Sequence, residues 1–130
     1  MATGREAMAT SFAVSFQEGR DAFNRGEFFE AHEHWEDVWR ELPIAERAGL
    51  QGLIQIAAGL HHLRESRPAP ALKLLDKGLL KLRAPPFAPL LLALVNEDSL
   101  VALAGAIENL RGDLLRTGKS SFEPSAIRLR

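Results

Sequence analysis

The chain has 130 residues, 46% of them hydrophobic and 25% charged, which is the size and composition of one globular domain around a single core. A formal net charge of -1 excludes a general attraction to nucleic acid or to an anionic membrane, so neither is an expected partner. The absence of cysteine excludes disulfides, thiolate nucleophiles and cysteine metal sites, and it permits a reducing cytoplasm, the location expected here.

The opening stretch, MATGREAMATSFAV, lacks the basic region followed by an apolar run that a secretory signal needs. It reads as an extension over residues 1–10. The first helix is expected to start after Thr10 or Ser11 as cap, to carry Phe12, Phe16 and Phe23 on one side, and to end at the Asn24-Arg25-Gly26 turn. A second helix, from about Glu27 to Leu42, follows so closely that the two must form an antiparallel hairpin before Pro43 stops it. The spacing predicts a third helix over 44–65, the most apolar stretch of the chain, ended by Arg67-Pro68-Ala69-Pro70. The fourth, about Ala69 to Leu82, presents Leu72, Leu75, Leu79 and Leu82 inward. Ala84-Pro85-Pro86-Phe87-Ala88-Pro89 cannot be regular helix throughout. LLLALV, which follows Pro89, is far too short to cross a bilayer. Asn96 or Asp98 then caps a last helix in which Leu100, Leu103, Ala104, Ile107, Leu110 and Leu114 keep helical spacing to Gly118. Residues 119–130 show no helical pattern and are expected either to be loose or to lie across a partner. With no period-two alternation of a half-buried strand, the fold class is all-α: a single-domain bundle of four to five helices over residues 11–118, built from antiparallel hairpins.

Residues 32 to 39, HEHWEDVW, concentrate chemistry. Around a helix, Phe28, Ala31, Trp35, Val38, Trp39 and Leu42 share a broad apolar arc. Glu30, Glu33, His34, Asp37 and Glu41 fall on the opposite, solvated side. His32 and Glu36 sit one turn apart at the border, half-buried and near enough to touch. In the third helix, LQGLIQIAAGLHHL is apolar nearly all round except for a line of Gln51, Gln55 and His62, with Ala58 and Gly59 beside it. Unpaired buried amides cost about 1–3 kcal/mol, so this line needs partners, and His32 and Glu36 are the obvious ones. His61 points about 100° from His62, so only one can share the cluster. His62 is the one expected.

The run FNRGEFFEAHEHWEDVW followed by LQGLIQIAAGLHHL resembles the domain-of-unknown-function family numbered 309, whose shared pattern is H-E-x-x-E-x-x-W and then a Gln-rich apolar helix. The resemblance covers roughly residues 20–83 and falls on His32, Glu33, Glu36 and Trp39. It implies a small, soluble all-α bundle and brings no established activity with it.

His32 to Glu36 comes close to the zinc-protease helix motif H-E-x-x-H, with Glu in place of the last His. His32 and Glu36 can still ligate zinc, manganese or iron, with His62 as a third ligand, one position open to water, and Gln51, Gln55 and Trp39 around them. Glu33, the counterpart of the protease base, faces solvent on this reading, which weakens the analogy. A structural hydrogen-bonded network of the same residues is the plainer reading, and a metal-free acid–base pair is a third. Elsewhere, Lys73, Lys77 and Lys81 form a stripe that reads as a solvated face, because no aromatic residue is interleaved for base stacking. GDLLRTGKS has five residues between Gly112 and Gly118, where a phosphate loop has four, and it follows a helix. Trp35 and Trp39 read as core or interface anchors. Two functions stay open. One is a metal-binding domain or metal-dependent hydrolase, with His32, Glu33 and Glu36 as catalytic candidates. The other is a noncatalytic bundle, a homodimer or adaptor, in which the same residues lock helix two to helix three and the leucine-rich helices or LLLALV form the contact surface.

Overall fold

The computed structural model describes residues 4–84, 87, 89–119 and 122–130, with side-chain surroundings from Ser11 onward except at Leu90. The described residues form six α-helices and no strand. In order these are α1 (Gly4–Asn24), α2 (Phe28–Glu41), α3 (Ala48–Arg64), α4 (Pro68–Leu82), the single turn α5 (Pro89–Leu92) and α6 (Glu97–Thr117). The protein is therefore all-α.

Aromatic contacts between α1 and α2 run Phe16 to Trp35 and Phe23 to Phe28, a descending pairing that makes this an antiparallel hairpin. Glycine contacts do the same for the next pair: Gly52 meets Lys81 and Gly78, and Gly59 meets Leu75 and Ala71, so α3 and α4 run antiparallel. Ion pairs from Arg111 to Asp76 and from Arg83 to Glu108 set α6 against α4. Phe12, Phe16, Phe23, Phe28 and Trp35 are all buried and form one continuous aromatic cluster. Full burial of such a side chain stabilises the fold by roughly 1.5–3 kcal/mol, which makes this cluster the chief fastening of the first hairpin.

Helix ends follow the expected chemistry at several points. Gly26 adopts φ 80 and Gly118 φ 69, both left-handed, and the Gly118 N–H donates to Leu114 O at 2.8 Å. The Asn96 side chain accepts from Ser99 N–H at 2.8 Å, so Asn96 rather than Asp98 caps α6. Other ends differ from the sequence expectation. Helix α1 begins at Gly4, upstream of Thr10 and Ser11 and inside the expected extension. Residues 5–10, Arg-Glu-Ala-Met-Ala-Thr, contain no proline and several good helix formers, so nothing local stops the helix from continuing. The expected third helix is split into a 3-10 turn (Ile44–Glu46) and α3 from Ala48. Pro68 and Pro70 lie in the first turn of α4 rather than in the break, where a missing N–H costs nothing. Pro85, Pro86 and Ala88 of the proline-rich stretch lie outside the described residues.

The segment 122–130 after Gly118 lies against the body of the domain. It makes a 3-10 turn (Pro124–Ala126), and then Ile127 and Leu129 bury their side chains in the main core. LLLALV is divided, with Leu91 and Val95 buried in the core, Leu92 and Ala93 exposed and Leu94 half-buried. Among the described residues no helix is long and apolar enough to cross a membrane.

Candidate functional site

Helix α2 is amphipathic because Phe28, Ala31, Trp35 and Val38 fall at helical spacing and bury against α1 and α3. That burial fixes the helix rotation and leaves His32 and Glu36 on its half-buried flank. His32 Nε2 lies 2.9 Å from Glu36 Oε2, with the two side chains 26% and 32% exposed. Glu36 Oε1 in turn accepts from Arg40 Nη2 at 2.6 Å, and Arg40 Nη1 also reaches Asp37 Oδ1 at 3.2 Å. A ladder of His32, Glu36 and Arg40 therefore runs along one flank of α2 at i,i+4 steps, and both carboxylate oxygens of Glu36 are engaged within it. With Nε2 beside Glu36, the other ring nitrogen is His32 Nδ1. It is buried and has no partner among the described residues.

The aromatic surroundings come from both helices. Phe29 stacks on His32 at 6.2 Å between ring centres and meets His61 at 5.2 Å. The histidine that reaches this flank of α2 through Phe29 is thus His61, where the sequence reading favoured His62. Burial pushes the His62 imidazole below its ordinary pKa of 6.5, with help from the positive charges of Arg67 and His61. His62 Nδ1 is also buried without a partner among the described residues.

The remaining members of the expected cluster are placed differently from one another. Gln55 Oε1 accepts from Lys81 Nζ at 2.9 Å, so this amide is satisfied from α4 rather than from His32 or Glu36. Gln51 is half-buried, and Glu33 is exposed. His34 Nδ1 is 3.3 Å from Glu18 Oε2, which ties α2 to α1 on the outer side. Among the described residues, no three His, Asp or Glu side chains stand close enough to hold a metal ion together. The structure therefore brings together His32 with Glu36 but does not assemble His32, Glu36 and His62 into a ligand set.

Two functional anchors carry roles that composition alone did not reveal. Trp35 is fully buried, and its Nε1–H donates to Phe16 O at 3.0 Å, giving the indole a polar tether to α1. Arg47 lies over Trp39 at 4.7 Å while its Nε donates to Leu42 O at 2.8 Å and its Nη2 to Arg40 O at 3.1 Å. It caps the open carbonyls at the end of α2 and covers the tryptophan at once. The signal for Arg40 was present as Glu36-x-x-x-Arg40. For Arg47 none existed, since it acts from beyond Pro43.

At the N-terminal end of α2 a groove of about 400 Å³ is lined by Glu27, Phe28, Phe29, Glu30, His61 and Arg64, among others; His32 and Glu36 lie outside it.

A family model described as Domain of unknown function (DUF309) matches residues 16–74. That segment contains the second half of α1, all of α2 and α3 and the start of α4, and so every residue of the His32 flank. No curated protein and no solved structure matches the chain.

Proposed function

Since the chain belongs through residues 16–74 to the DUF309 family, and that description assigns no chemistry, we propose from the site itself that it acts in the cytoplasm by binding rather than by catalysis. On this reading the H-E-x-x-E-x-x-W line is a fastening of α2. The observation that carries it is the double engagement of Glu36, with Oε2 at His32 and Oε1 at Arg40. Each oxygen of this carboxylate already has a partner on its own helix, so half of its lone-pair sites are taken and its orientation is fixed along the ladder, and a metal or a substrate proton would compete with those contacts. Glu33, the other acidic candidate, is exposed. Phe29, His61 and Trp39 then complete a lightly polar seam between α2 and α3.

Urea unfolding of Glu36→Gln, His32→Ala and the double variant tests this reading. A fastening role gives destabilisation of about 0.5–1.5 kcal/mol for each single change and a loss in the double variant smaller than the sum. Variants as stable as the parent, or more stable, would contradict it, because residues held for function commonly leave the protein more stable when removed.

A second reading draws on a separate observation. The buried, partnerless Nδ1 atoms of His32 and His62 are polar groups in need of a partner. A zinc, manganese or iron ion recruited by one of them would make the chain a metal-binding domain or metal-dependent hydrolase, and metal analysis separates the two readings.

A further inference from the structure

Residues 122–130, FEPSAIRLR, lie on the body of the domain as a ligand lies in a site. After the Pro124–Ala126 turn the backbone becomes extended, with Ile127 at φ -109 and ψ 104. Burial alternates strictly from there: Ile127 and Leu129 are 5% and 0% exposed, while Arg128 and Arg130 face outward. That is the period of a strand with one face in a groove. It is the sole stretch of the tail where the sequence itself, Ile-x-Leu, repeats every second residue.

The backbone of this strand is read by one side chain. Asn24, at the end of α1, donates from Nδ2 to Leu129 O at 2.8 Å and accepts at Oδ1 from Leu129 N–H at 2.8 Å. A carboxamide that matches both the donor and the acceptor of one residue does what the next strand of a sheet would do. It binds extended backbone of any sequence and leaves selectivity to the side-chain pockets on either side. Here those pockets take Ile127 and Leu129, and Phe122 packs on Phe28 at 6.0 Å. Beside the segment, a groove of about 530 Å³ remains between Ala106, Asn109, Leu110 and Asp113 of α6 and Phe122 and Ile127 of the tail. The segment thus borders open space in the place where it docks.

The bonds from Asn24 and the burial of Ile127 and Leu129 do not depend on the segment belonging to the same chain. An identical segment from another copy would make the same bonds, which is the condition for exchange between protomers. We propose that the Asn24 groove is a docking site for residues 122–130 of a second copy, so that copies of this chain associate by exchanging C-terminal segments. The intramolecular segment competes through its high effective concentration and holds the site closed in dilute protein. The proposal deepens the reading of the chain as a binding module by naming the partner, and it makes no use of His32 or Glu36.

Two full-length variants test it. Leu129→Asp spoils the segment but keeps the groove, and Asn24→Ala spoils the groove but keeps the segment. Each alone is expected to sediment as a monomer, and an equimolar mixture to form a one-to-one complex. Leu129→Asp mixed with the Asn24→Ala, Leu129→Asp double variant is expected to form none. A labelled peptide of residues 122–130 is expected to bind Leu129→Asp at least tenfold more tightly than either wild type or the double variant. Leu129→Ala serves in the same way if the aspartate prevents folding. A mixture that stays monomeric, or a peptide that binds all three proteins equally or none, overturns the proposal. Neither measurement responds to metal at His32, so this inference and the fastening of α2 can fail separately.

Discussion

Trp35 packs its indole against the bare backbone of Gly19. A Cβ built on that glycine would fall inside the indole, within 2.8 Å of Trp35 Cε2 and closer still to Nε1 and Cδ1. The ring cannot retreat, because it is fully buried between Phe16 and Phe23 and its Nε1–H is tied to Phe16 O. Gly19→Ala should gain about 1 kcal/mol of helix propensity and lose more through overpacking, leaving a net loss of about 1–2 kcal/mol. The urea midpoint checks this, and a variant at or above wild-type stability would mean that the first hairpin does not depend on this contact.

The same reasoning separates two other glycines. Helices α3 and α4 approach most closely where Gly78 faces Gly52, and a Cβ on Gly78 would stand 2.6 Å from Ile56 Cγ1 and 2.8 Å from Gly52 O. Backbone cannot move aside as a flexible side chain can. Gly78→Ala is expected to cost about 1–3 kcal/mol. Gly105, exposed within α6, has no atom within 4 Å of such a Cβ, and Gly105→Ala should stabilise by about 0.5–1 kcal/mol. Thermal unfolding of the two variants should shift in opposite directions.

The His62 imidazole titrates below its ordinary value of 6.5 because burial and the charges of Arg67 and His61 oppose protonation. In the unfolded chain it takes its proton near 6.5, so as pH falls through that value the unfolded state binds the proton first. Stability contributed by neutral His62 is whole above 6.5 and declines as pH drops toward the folded-state pKa, below which the loss is constant. Wild type should therefore lose stability as pH falls below about 6.5 relative to His62→Gln. Parallel stability profiles for the two proteins would contradict the assignment.

The packing faces were legible in the sequence because they are periodic. Phe12, Phe16 and Phe23, the Phe28-Ala31-Trp35-Val38 arc and the Leu100 to Leu114 series all bury where helical spacing places them, with Leu110 partly covered. The His32–Glu36 pair was legible for the same reason, since one helical turn brings the two side chains together whatever surrounds them. What escaped depended on residues far apart in the chain. Gln55 takes its partner from Lys81 on α4, and Leu129 is bound by Asn24 from 105 positions away. The choice between His61 and His62 turned on the exposed Phe29, 47% accessible, which covers His61 at the helix end. Axial rotation alone does not carry that information.

We propose that the His32 flank fastens α2 and does not form a reaction centre. Metal content by mass spectrometry, on protein purified without a histidine tag and beside His32→Ala and His62→Ala, tests it most directly. Fastening alone gives substoichiometric metal in all three proteins together with lower stability of His32→Ala. Stoichiometric metal in the wild type that is lost from both variants would contradict it and establish the metal-binding reading.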